Sequence, residues 1–168
     1  MKKVKYIILL CTAIFALASC ETYKDPVIEY SPVFPLSGEW IVRFINPATS
    51  DTTAFGTLTV TNTATNSATE IWVRKTGTTA GGAFTVKATC DVPSLTFSVT
   101  NGTNTVLSKG VSVGTCTITQ GLVTLNGWNT NSGYKSDKIT FKLEDSRKPG
   151  VVYNAEGYRR TGWYDDEP

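Results

Sequence analysis

The sequence contains no histidine. That absence excludes a Ser-His-Asp or Cys-His arrangement and removes the commonest zinc ligand. No Gly-x-Ser-x-Gly elbow occurs. The nearest Ser-Lys pair is Ser108-Lys109, and adjacent residues on a strand point to opposite faces. Carboxylates are few and scattered, at Glu39, Glu70, Asp91, Asp137, Glu144 and Glu156, with no pattern that brings two across a cleft as glycoside hydrolysis requires. The run Asp165-Asp166-Glu167 at the C-terminus reads as a solvated tail rather than a calcium site. No basic cluster larger than a pair such as Arg159-Arg160 is present, so nucleic acid and anionic surfaces are not expected partners. These absences predict a protein that is not an enzyme, with no catalytic residues, no metal and no cofactor.

Long apolar runs are lacking too. The longest, Tyr6 to Leu17, falls short of the roughly 20 residues a membrane-spanning helix needs. It follows Lys2, Lys3 and Lys5 and ends at Leu17-Ala18-Ser19-Cys20. A charged start, a short apolar core and small residues before a cut are the layout of a secretory signal over residues 1–19. Leu-Ala-Ser-Cys resembles the bacterial lipobox, which implies that Cys20 is acylated and becomes the first residue of the mature chain. Each buried acyl methylene is worth about 0.8 kcal/mol and stable anchoring takes two chains or their equivalent, so the expected partner is a membrane and the expected place the cell envelope. Residues 20–35, with Pro26, Pro32 and Pro35, read as an extended tether. Glu21 and Asp25 loosely resemble the acidic export signal of surface-exposed outer-membrane lipoproteins; periplasmic and surface-facing orientations stay open.

Removing the leader changes the arithmetic. All three of its charges are lysines, so the mature chain carries thirteen basic against fourteen acidic residues. Cys11 leaves with the leader and Cys20 is taken by lipid. Cys90 and Cys116 then remain, either as a disulfide of an exported protein or as two buried thiols.

What is present is alternation. Leu58 and Val60 alternate with threonines, and Phe84, Val86, Ala88 and Cys90, then Leu95, Phe97 and Val99, and later Ile139, Phe141 and Leu143 alternate with threonine, serine or lysine. A period of two with β-branched and aromatic residues predicts half-buried strands. Further strands are expected at 38–45, 70–75, 112–119, 121–126 and 151–161. Turns are expected at Thr76-Gly77, Gly81-Gly82, Asn101-Gly102, Gln120-Gly121, Ser132-Gly133 and Pro149-Gly150. The sum is an all-β, antiparallel barrel of about eight strands in one domain, residues 36–168. The inward set predicted is Leu58, Val60, Phe84, Val86, Leu95, Phe97, Val99, Ile118, Val123, Leu125, Ile139, Phe141 and Leu143. Of these Leu58, Val60, Phe84, Val86, Phe97, Ile118 and Phe141 are the candidate lining of a ligand site, since a barrel of this size can hold one small molecule or fill itself.

Gly38-Glu39-Trp40 opens the first strand and is similar to the Gly-x-Trp of lipocalins. That resemblance implies a tryptophan plugging one end of the barrel, with Arg159 or Arg160 packed over its ring. Together with the lipobox, the Pro-rich tether, Trp128-Asn129 and Glu156-Gly157-Tyr158-Arg159-Arg160-Thr161-Gly162-Trp163, the chain resembles a family of exported Bacteroidetes proteins labelled lipid-binding putative hydrolase. The resemblance implies a lipocalin-like fold and a small apolar or amphipathic ligand such as a lipid. Two other expectations stand beside it. One is surface glycan binding through Trp72, Trp128, Tyr134, Trp163 and Tyr164. The other is an accessory structural subunit of an outer-membrane complex.

Overall fold

A computed structural model describes residues 27–77 and 82–168. Among them there is no α-helix. The strands are β1 (Gly38–Ile45), β2 (Gly56–Asn62), β3 (Glu70–Lys75), β4 (Phe84–Asp91), β5 (Thr96–Thr103), β6 (Leu107–Ser108), β7 (Val111–Ser112), β8 (Thr115–Asn129), β9 (Lys135–Asp145) and β10 (Val152–Arg159). Eight of them close an antiparallel barrel in the order β1-β10-β9-β8-β5-β4-β3-β2, and β6 and β7 form a separate small hairpin. Closure leaves the barrel no unpaired edge. The expected signal peptide (1–19), the expected lipidation site Cys20 and the first part of the expected tether lie outside the described residues.

Alternation does the packing that the sequence promised. Along β4, Phe84, Val86, Ala88 and Cys90 are buried while the residues between them face out. Along β9, Ser136, Ile139, Phe141, Leu143 and Asp145 are buried. Leu58, Val60, Phe84, Val86, Phe97, Ile118 and Phe141 all belong to one core cluster inside the barrel. Phe141 lies edge-on to Phe44 at 6.0 Å and 5.8 Å from Phe97, an aromatic column across the middle of that core.

The structure departs from the expected elements in four places. The two strands predicted at 112–119 and 121–126 are one long β8. Gln120, at φ 55°, makes a bulge rather than a turn, and Gly121 lies so close to Phe97 that a Cβ there would be 2.3 Å from its carbonyl. Asn101-Gly102 is likewise a register shift within β5 and not a loop. Leu125, expected inside, is more than half exposed, because β8 shifts register again between Thr124 and Trp128. Finally, the domain begins before residue 36. Phe34 and Leu36 donate backbone bonds to Ser31 and Val33, forming a turn that drives Val33 and Leu36 into the core.

Cys90 and Cys116 are free, buried thiols, so the disulfide alternative does not hold. The register explains it. β5 lies between their strands, and they pair with Phe97 and Gly102, five residues apart along it. That offset is about 16 Å along the strand, whereas bridged Cα atoms lie within about 7 Å.

Candidate functional site

Because neighbouring strands run in opposite directions, the connections fall at two ends. At one are the turn before β1, the β2–β3 and β4–β5 connections, the β8–β9 hairpin and the C-terminal segment. At the other are the β1–β2, β3–β4 and β9–β10 connections and the β6–β7 hairpin. We call these the Trp40 end and the Lys75 end.

At the Trp40 end the indole of Trp40 is fully buried, and the Arg159 guanidinium lies 4.4 Å from its ring centroid. Inward parity along β10 runs through Tyr153, Ala155 and Gly157 to Arg159, so Arg159 covers the plug and Arg160 does not. Arg159 also donates to the carbonyls of Pro35 (2.6 Å) and Ser37 and to Asp137 at 3.0 Å, tying the N-terminal turn to the barrel. Gly38 has φ +131°, and a Cβ there would be 2.8 Å from the Arg159 guanidinium. The glycine of the motif is therefore required twice, for backbone conformation and for the approach of the cation. Arg160 turns outward to Glu39 at 2.8 Å and to both carboxylate oxygens of Glu167 at 2.7 Å.

The C-terminal segment folds back over this end. Asp166 accepts from the Ser132 amide and hydroxyl (both 2.8 Å) and from Thr161 (2.7 Å). Burial works against its charge, but hydrogen bonds from Thr161, Ser132 and Thr130 outweigh that and hold the carboxyl below the usual carboxylate range. The Tyr158 hydroxyl donates to the Asp166 carbonyl. Outside the barrel Tyr158 stacks on Trp128 at 5.4 Å, and Phe55 lies edge-on to both. Trp128, one of the expected glycan-stacking rings, is thus packed on its neighbours.

Between the N-terminal turn and the C-terminal segment lies a pocket of about 520 Å³ with mainly apolar walls, bordered by Phe34, Gly38, Glu39, Arg159, Arg160 and Gly162. Its volume suits a small amphipathic molecule. Three further pockets among the described residues are smaller: about 370 Å³ at the β5–β8 bulge beside Cys90, about 270 Å³ on the outer face of β9 and β10, and about 200 Å³ near Asp145. Of the seven candidate lining residues, Phe97 borders the first of these and Phe141 the second. Leu58, Val60, Phe84, Val86 and Ile118 border none of the four and are each at most 1% exposed.

The Lys75 end is closed by polar groups. Parity along β3 and β9 sends Lys75 and Asp145 inward, each at most 5% exposed. Lys75 donates to the Gly82 carbonyl at 3.3 Å and lies 5.4 Å over the Phe44 ring. Burial lowers its pKa, and Arg147 lowers it further. Asp145 accepts from the Arg147 Nε (2.8 Å) and backbone amide (2.9 Å). Burial opposes the Asp145 charge, yet those hydrogen bonds leave the carboxyl below its ordinary value. Asn104, 1% exposed, accepts from Thr85 and Val106 and donates to Ala83, whose carbonyl also receives Arg147. The inward positions of Lys75 and Asp145 are legible in the strand parity (Ile71, Val73, Lys75; Leu143, Asp145), which the pattern of apolar residues alone does not reach; Asn104, past the end of β5, has no such parity.

Nucleophile chemistry finds little here. Burial pushes the Cys116 thiol up to about 11, with Asp145 adding to the shift. Cys90 is also raised, by burial and then by Asp91 and Glu70. Both are therefore protonated at neutral pH. Glu39, Glu70, Asp137 and Glu156 are engaged in ion pairs with Arg160, Lys87, Arg159 and Arg43. Ser108 and Lys109 lie exposed on the β6–β7 hairpin. Among the described residues no three of Cys, Asp and Glu gather into a metal-sized group.

A family model described as lipid-binding putative hydrolase matches residues 25–164. No curated protein matches the chain.

Proposed function

This chain belongs to the lipid-binding putative hydrolase family, and we propose that it is a membrane-anchored lipoprotein that binds a lipid-like molecule without cleaving it. Acylation at Cys20 supplies the anchor and the outer membrane the location. The seat of the ligand is the apolar pocket at the Trp40 end. The observation that carries this reading is the contrast in available space. A pocket of about 520 Å³ opens beside Phe34 and two guanidinium groups, whereas five of the seven inward residues border none of the pockets described. Phe34 offers an acyl chain its ring, and Arg159 and Arg160 flank the position of a headgroup, each already balanced by a carboxylate. Absence of histidine and the raised thiols support binding over hydrolysis.

The test is retention. The acylated chain is purified, incubated with phospholipid or fatty acid, and examined by native mass spectrometry and by denaturing spectrometry of a solvent extract. Stoichiometric retention is expected, falling at least tenfold in Phe34→Glu, which replaces a half-exposed apolar wall with a charge. Retention unchanged by Phe34→Glu would move the ligand into the barrel. No retention of any lipid would overturn the binding claim. It would favour instead an accessory structural role, for which the buried inward residues that border none of the pockets described are the supporting observation.

A further inference from the structure

We propose that the Trp40 end of the barrel rests directly on the bilayer, with an aromatic rim seated among the lipid headgroups. The inference rests on the acylation of Cys20 proposed above. The rim is built from three separate stretches of chain: Ile28, Tyr30 and Phe34 before β1, Tyr134 in the β8–β9 hairpin, and Trp163 and Tyr164 after β10. All six are at least half exposed, Tyr164 at 92%.

The fold gathers them. Tyr30 and Phe34 have ring centroids 4.2 Å apart, Tyr134 and Trp163 are 6.1 Å apart, and the pocket joins Phe34 to Gly162 between the two pairs. The hairpin and the tail are themselves locked by Asp166 on Ser132 and by Asn131 on the Asp165 carbonyl. An exposed apolar rim held rigidly in this way has a cost in water that a partner phase removes. Tryptophan and tyrosine, each with an apolar body and a polar tip, favour the membrane–water interface. Among the described residues, the β6–β7 hairpin at the opposite end exposes two aliphatics, Leu107 and Val111, and none of the large exposed rings lies there.

Chain length identifies the occupant. Val27 is the seventh residue after Cys20. Seven residues span at most about 25 Å fully extended. An acylated Cys20 therefore keeps this end, where the chain enters β1, within about 25 Å of the lipid surface. Charge does not supply the attraction. Arg160 is neutralised by Glu39 and Glu167, and Arg159 by Asp137. The contact is accordingly made to zwitterionic lipid and varies little with salt.

The experiment uses the acylated chain reconstituted in phosphatidylcholine vesicles whose acyl chains are brominated, with tryptophan emission and co-sedimentation read together. Trp40 is buried, Trp128 is packed against Tyr158 and Phe55, and Trp72 is half-buried on the outer wall of β3 and not part of the rim, so Trp163 is the ring placed to be quenched. Quenching is expected, lost in Trp163→Phe while co-sedimentation is unchanged. A vesicle-bound but unquenched protein, or quenching that survives Trp163→Phe, overturns the contact and leaves the anchor standing. Failure to co-sediment overturns the anchor itself and this proposal with it. Retention on a polysaccharide gel that Trp163→Phe abolishes, without quenching, would assign the rim to glycan and overturn the membrane contact.

Discussion

The two ends of this barrel are closed by opposite chemistry. At the Trp40 end an indole and two aliphatic side chains, Val33 and Leu36, fill the opening, and one guanidinium covers the ring and fixes the preceding turn. At the Lys75 end the same job falls to a lysine, an aspartate–arginine pair and an asparagine, all hydrogen-bonded. An apolar plug draws its stability from area removed from water and leaves the surrounding surface free to be apolar as well. A polar plug is stable only while its partners are satisfied, and it suits an end that faces water. The difference points to the Trp40 end as the working one, since both the roomier pocket and the exposed aromatic rim are found there.

The largest effect should come from the apolar plug. Trp40→Ala removes a fully buried indole and the partner of Arg159, at a cost of about 4 kcal/mol, a large share of an ordinary domain's 5–15 kcal/mol. Urea unfolding should show the midpoint falling by about 2 M, for a slope of about 2 kcal/mol per M. Trp40→Phe sharpens the point. The Trp40 indole N–H has no hydrogen-bond partner among the described residues, so phenylalanine forfeits no hydrogen bond, only volume and part of the contact with Arg159, and should cost about 1–2 kcal/mol. A Phe variant as damaged as the Ala variant would show that the indole nitrogen matters.

A smaller effect is expected from the polar plug, and it should depend on pH. The Asp145 carboxyl is held below its ordinary value, so its contribution is fully present above the unfolded pKa of about 3.9 and is lost as pH falls through the lower folded value. Asp145→Asn should cost about 2 kcal/mol at pH 7, discounted for the partial exposure of Arg147. Thermal melts should show the gap between wild type and variant closing below about pH 4. A gap that stays constant into acid would mean the pair contributes through packing and not through charge. Asp166, also depressed, gives the wild type a second acid-labile contact at the other end, one that Asp145→Asn leaves in place.

Much of the fold was legible because burial in a closed barrel imposes a strict period of two. Leu58 and Val60, or Phe84, Val86 and Ala88, declare their face within a few residues. Bulges were not legible. Gln120-Gly121 and Asn101-Gly102 offer the same permission for positive φ that a hairpin turn needs, and only the continuing pairing, of β8 with β9 and of β5 with β8, tells a bulge from a turn. Choosing between Arg159 and Arg160 was open from the motif alone, although parity carried from Tyr153 and Ala155 settles it. The thiol pairing was out of reach, because the offset between Cys90 and Cys116 is a property of the β4–β5–β8 register. The pocket was invisible for a similar reason. Its walls come from residues 34 to 39 and 159 to 162, which meet only when the barrel closes between β1 and β10.

The most direct test of the asymmetry is backbone hydrogen exchange of the acylated chain, read by mass spectrometry in detergent and in phosphatidylcholine vesicles. The account predicts added protection in vesicles over residues 27–37, 130–134 and 160–166, with residues 104–114 and 146–151 unchanged. Protection confined to 104–114 and 146–151 would contradict it, because the polar end would then be the one that meets the lipid.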